Sequence, residues 1–190
     1  MSFRQSKAAA IVAVVLSVMG LVVAGAFFQP WQLFNNTQVN EAFPTAIETS
    51  SSGNTSSQNP DSATSAHSEV ISFPLVLGKG TFVSHEHPTA GTVTIFENSD
   101  GTRTLRIDDL NTTNGPQLEV WLTDAPVIDG VDGWGVFDDG NFVNLGALKG
   151  NIGSQNYEIP SDVNLDDFTS VSIWCARFFV SFGAAELIKQ

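Results

Sequence analysis

The sequence predicts an all-β domain, an antiparallel β-sandwich, set behind one N-terminal transmembrane helix and a disordered tether. Two observations predict the sandwich. From about residue 70 the chain runs as short β-branched and aromatic stretches broken by Gly, Asn and Asp, with no long amphipathic helix. Several of those stretches alternate apolar and polar residues with period two, so each has one face to bury. A third observation separates this domain from what precedes it. The first forty residues hold no Asp or Glu, whereas the 190-residue chain carries 20 acidic against 8 basic residues.

Residues 1–7 contain Arg4 and Lys7, and the stretch 8–28, Ala8 to Phe28, then runs twenty-one residues without a charge. As a helix this stretch measures roughly 31 Å, which matches a bilayer core of about 30 Å. With the basic residues on its short side, the N-terminus is expected in the cytoplasm and the C-terminal domain in the extracytoplasmic space of the cell envelope. Ala24-Gly25-Ala26 offers a cleavage site for a signal peptide, but the apolar run exceeds the usual length of about 7 to 15 residues for such a segment.

Residues 29–69 read as a flexible linker. From Asn35 to Glu69 they are rich in Ser, Thr, Asn and Gln and hold no Lys or Arg, so they bury too little to offset the entropy of ordering. A flexible chain of that length has an r.m.s. span of about 35 Å. Asn35, Asn54 and Asn111 begin Asn-x-Ser/Thr sequons, which matter only in a host that glycosylates them.

Residues 70–190 form the expected sandwich. In "GTVTIFENSDGTRTLRIDDL", Val93 and Ile95 share a face, as do Leu105 and Ile107, and Asp100-Gly101 makes the hairpin turn. "QLEVWLTD" turns Leu118, Val120 and Leu122 inward. Further strands are expected at residues 80–84, 142–148, 156–159, 171–177 and 179–187. In the second last of these Val171, Ile173 and Cys175 share one face, and Ser172, Trp174 and Ala176 the other.

The charge balance of −12 repels phosphate-rich partners and argues against nucleic acid. Hydrolytic and dithiol chemistry also lack support, since neither Gly-x-Ser-x-Gly nor Cys-x-x-Cys occurs, and covalent c-type heme attachment lacks its Cys-x-x-Cys-His. The acidic clusters around Asp129 to Asp139 and Asp162 to Asp167 sit beside Gly and Asn and fit no calcium loop, so they read as solvated turns. Trp134 and Phe137 either tip a loop or pack onto the sheet.

That leaves Cys175, the only cysteine, and the pair His85 and His87. A lone thiol is either a small buried hydrophobe or a reactive sulfur. If Ser84 to His87 is extended, both imidazoles lie on one side, which suits copper or zinc with Cys175 as a soft third ligand. Pro88 instead marks a strand end, where two histidines are polar surface.

Four stretches in order, "GTFVSHEHPTAGTVTIFE", "NGPQLEVWLT", "LGALKGNIGSQNYEIP" and "VSIWCARFFVSFGAAEL", resemble the electron-transfer DM-thirteen domain family, including its bacterial membrane-anchored members. The resemblance covers about residues 78 to 187. It implies a redox role for the cysteine at position 175, as a bare thiol or as ligand to a group such as heme. Trp121 stands where many relatives carry another aromatic residue. The expectation is therefore an electron carrier rather than an enzyme, anchored to the membrane through residues 8–28 and passing electrons to a redox partner through Cys175, either as a bare thiol or as a ligand to a group for which heme and copper are the candidates. The alternative is a binding or adhesion module of the envelope in which Cys175 is core packing.

Overall fold

In the computed structural model of the protein, residues 2–28, 35–44 and 74–190 are described. A helix, α1 (Ser2–Phe28), opens the chain, and ten strands follow: β1 (Gln38–Asn40), β2 (Leu75–Ser84), β3 (Ala90–Glu97), β4 (Arg103–Asn111), β5 (Leu118–Thr123), β6 (Phe142–Ala147), β7 (Ile152–Ile159), β8 (Ser170–Cys175), β9 (Val180–Glu186) and β10 (Ile188–Lys189). The folded region is mostly β, as its alternation predicts. Side chains of α1 are described for residues 12–26, so the expected span 8–28 lies partly outside them. Among the described residues no helix is long and apolar enough to cross a membrane.

The strands do not form two separate sheets. They make one sheet in the order β1-β7-β4-β3-β2-β9-β8-β5-β6, with β10 pairing β2 off this path. The link between β6 and β7 requires the sheet to curl. These strands lie seven places apart, about 34 Å if the sheet were flat, whereas the link at residues 148–151 spans at most about 19 Å. Strand β2 makes the bend. Its first part, Leu75 to Thr81, pairs with β3, and its last, Phe82 to Ser84, pairs with β9. Gly80 stands at the crossing, where a Cβ would collide with the Glu186 carbonyl. The sandwich expectation is thus corrected to a single curled sheet, a half-barrel whose inner face is one core.

That core holds the residues the alternation selects. Val93, Ile95, Leu105, Ile107, Val120, Leu122, Val171, Ile173 and Cys175 join one buried cluster. The β3–β4 hairpin turns through Asn98 to Thr102, with the Gly101 amide donating to the Asn98 carbonyl at 2.9 Å and Gly101 at φ +81°.

Part of the stretch expected as linker pairs with the sheet: Gln38–Asn40 form β1, which runs parallel to β7 with Val39 opposite Gly153 and makes the sheet mixed. Gly153, at φ +102°, has no room for a Cβ against the Val39 carbonyl. Arg106, 6% exposed, donates to the carbonyls of Glu41 and Ala42 at 3.1 Å each, and its guanidinium lies 5.4 Å from the Phe43 ring centroid. Lys149 binds the Glu41 carboxylate at 2.7 Å. The rest of the expected linker, residues 29–34 and 45–69, lies outside the described residues.

Candidate functional site

Cys175 ends β8, opposite Leu118 of β5 and Val180 of β9. It is fully buried, and its thiol donates to the Pro116 carbonyl at 3.2 Å. Burial pushes the thiol above its ordinary pKa; the Phe178 and Arg177 amides oppose the rise, the Glu86 carboxylate adds to it, and the Arg177 charge opposes it. The sulfur is therefore held as a neutral thiol, the unreactive form.

The backbone around this sulfur is strained. Only three non-glycine residues with positive φ occur among the described residues, and two of them, Gln117 at 55° and Phe179 at 55°, flank it. Gln117 follows the carbonyl that Cys175 binds. Phe179 closes the turn after β8, its amide donating to the Cys175 carbonyl at 2.9 Å. A bulky residue in the left-handed region is a genuine outlier, and such strain persists only where the surroundings impose it. Phe179 is 67% exposed and Phe178 43%, so the turn presents two aromatic rings to solvent beside a sealed thiol.

The two histidines part company. Residues 85–87 bend instead of extending, so the alternation that would align the rings is lost. His87 turns to the inner side, with its ring centroid 4.0 Å from that of Phe182 and Nε2 2.5 Å from a Glu86 oxygen. Thr89 fixes this bend: its amide donates to Ser84 Oγ at 3.0 Å, and its hydroxyl donates to the Phe182 carbonyl at 2.9 Å. His85 turns to the outer side and is 7% exposed, 5.6 Å from Phe137. Its Nδ1 lies 2.9 Å from Ser181 Oγ, which in turn accepts from Ser172 Oγ at 3.0 Å. Burial lowers its pKa, against smaller opposing effects of the Ile128 carbonyl and the Asp129 charge. Nε2 has no partner meeting hydrogen-bond geometry among the described residues.

His85, His87 and Cys175 thus do not converge on one point, and among the described residues no three His, Cys, Asp or Glu side chains are grouped to hold a metal ion. Heme ligation by Cys175 does not fit this conformation either. The sulfur sits in an apolar cluster with its proton committed to the Pro116 carbonyl. A groove of about 630 Å³ lies elsewhere, lined by residues including Lys79, Thr94, Asp129 and Glu186.

On the outer face the structure reveals a second cluster that the sequence left undefined. Trp121, Ala125, Phe137, Trp174 and Ala184 pack together. Phe137 is fully buried, so the 126–141 segment folds down onto the sheet, held by the Ser181 amide donating to the Trp134 carbonyl at 2.8 Å. Trp121 stacks on Phe142, with centroids 3.8 Å apart and planes 1° from parallel, and on Trp174 at 5.1 Å and 30°. The signal for this cluster was present in the period-two placement of Trp121 and Trp174 away from the core. What was missing was any residue known to cover them.

Comparison with curated proteins finds no match, and comparison with solved structures finds none. The family model Electron transfer DM13 matches residues 81–187, more than half of the chain, from the middle of β2 to the end of β9 and including His85, His87, Trp121 and Cys175. The chain therefore belongs to the Electron transfer DM13 family.

Proposed function

We propose that this protein is an electron carrier of the cell envelope, anchored through the apolar stretch 8–28, with its β domain on the extracytoplasmic side and Cys175 as its redox sulfur. The observation that carries the reading is family membership across the β domain. Two features support a special role for the cysteine: it is the only one in the chain, and strained residues flank it on both sides. For the thiol to react, the turn at residues 176–179 must open. Strain at Phe179 favours opening there rather than elsewhere.

A second reading has its own observation. The thiol is sealed, protonated and bound to a carbonyl, which suits a binding module with a structural cysteine. Maleimide labelling of the folded chain at rising concentrations of denaturant separates the two. Labelling in native buffer much faster than global unfolding supports local opening and the redox role. Labelling that tracks global unfolding leaves Cys175 as core and overturns that role.

A further inference from the structure

We propose that Trp121 is a one-electron redox residue of this protein, with Glu119 as the acceptor of its indole proton. The inference rests on the electron-transfer reading and moves the redox group to the outer face of the sheet. Glu119 and Trp121 are two apart on β5 and so share one face. Trp121 Nε1 donates to Glu119 Oε2 at 2.8 Å, and Asn144, opposite Trp121 on β6, donates to the same oxygen at 2.8 Å. The carboxylate is thereby fixed on the indole proton.

An indole that loses one electron becomes a radical cation whose N–H is about as acidic as a carboxylic acid, so a hydrogen-bonded carboxylate can take the proton. With the proton able to leave along an existing hydrogen bond, the product is a neutral indolyl radical and no charge stays on the ring. The balanced step is one electron from Trp121 to a one-electron oxidant, such as the oxidised metal centre of a partner protein, with the N–H proton passing to Glu119 to give its carboxylic acid. Return of an electron and the proton restores both residues.

The surroundings favour Trp121 over its neighbour. Phe142, stacked face to face on Trp121, is 42% exposed and gives a path to the surface. Trp174 is fully buried and its Nε1 has no partner among the described residues. Oxidised there, the ring would keep its proton and carry an unpaired buried charge, which is costly. The stacked pair therefore holds its oxidising equivalent on Trp121.

The test is flash-quench oxidation of the full chain by a diffusing ruthenium(III) polypyridyl, in a Trp31→Phe, Trp134→Phe background, read by transient absorption and electron paramagnetic resonance. A neutral tryptophanyl radical is expected, with its yield reduced at least tenfold by Trp121→Phe and kept by Trp174→Phe. Glu119→Gln retains an acceptor for the indole but cannot take the proton, and is expected to lower the neutral-radical yield about tenfold. An unchanged yield in Trp121→Phe, a loss only in Trp174→Phe, or a Glu119→Gln chain that behaves as the parent overturns the proposal. Because the oxidant is artificial, failure here is independent of whether the protein serves as a natural carrier or whether Cys175 reacts.

Discussion

The two faces of strand β8 meet different surroundings. Ile173 and Cys175 face inward in a cluster with Leu118, Val120 and Ile107 that is mostly aliphatic and also holds Phe82, Tyr157, Phe168 and Phe182. Trp174 faces outward against Trp121 and Phe137, and Ser172 on the same face binds Ser181, which reaches His85. All six residues of β8 are buried. The inner face is covered by the curl of the sheet, the outer face by the 126–141 segment. The difference teaches that sealing alone does not mark a site. The inner thiol is buried with its proton donated to a carbonyl, whereas the outer face keeps polar atoms poised among aromatic rings.

The largest expected effect breaks the outer face. Trp174→Ala removes a fully buried indole, and loss of such a ring costs about 3–5 kcal/mol. Trp174→Phe should cost far less, because it also deletes the unpartnered buried N–H. Urea denaturation measures both. A cost below about 1.5 kcal/mol for Trp174→Ala would mean that the 126–141 cover is loosely attached and that the face is not a second core.

A smaller effect is expected inside. Cys175→Ala deletes one sulfur from an apolar setting and should cost about 1 kcal/mol, also by urea denaturation. A loss of about 3 kcal/mol or more would show that the thiol's bond to Pro116 organises the strained turn, beyond filling space.

How much of this was legible depends on how local the signal is. The inner face was, because Val171, Ile173 and Cys175 declare their side by period alone, and the β3–β4 hairpin was, because Asp100-Gly101 marks its own turn. The curl was not, since it follows from which strands pair across long separations and from the short link at residues 148–151. Strand β1 was hidden for another reason. "QVN" has no apolar face to announce it, and its place is set by Arg106 and Gly153, more than sixty residues away. The histidines misled because the His-x-His spacing implies a shared side only in extended chain, and the bend at residues 85–87 sends the rings to opposite faces. Trp121 was visible as a residue but not as a site, because Glu119, Asn144 and Phe142 acquire meaning only once β5 and β6 are paired.

The smallest expected change is a slope rather than an offset, and it sharpens the contrast by titrating the outer face alone. His85 has its pKa lowered from the ordinary 6.5, chiefly by burial. The unfolded chain therefore takes up the proton at higher pH than the folded one does. Stability is full above about pH 6.5, declines as the pH falls from there toward the depressed folded value, and stops declining below it. Denaturation measured from pH 7.5 to pH 5 should show this acid-side loss in the parent and not in His85→Gln. Cys175→Ala, on the inner face, should leave the slope as it is. If His85→Gln retains the full slope, the buried imidazole is not its source, and the outer network of His85, Ser181 and Ser172 has no part in the acid response.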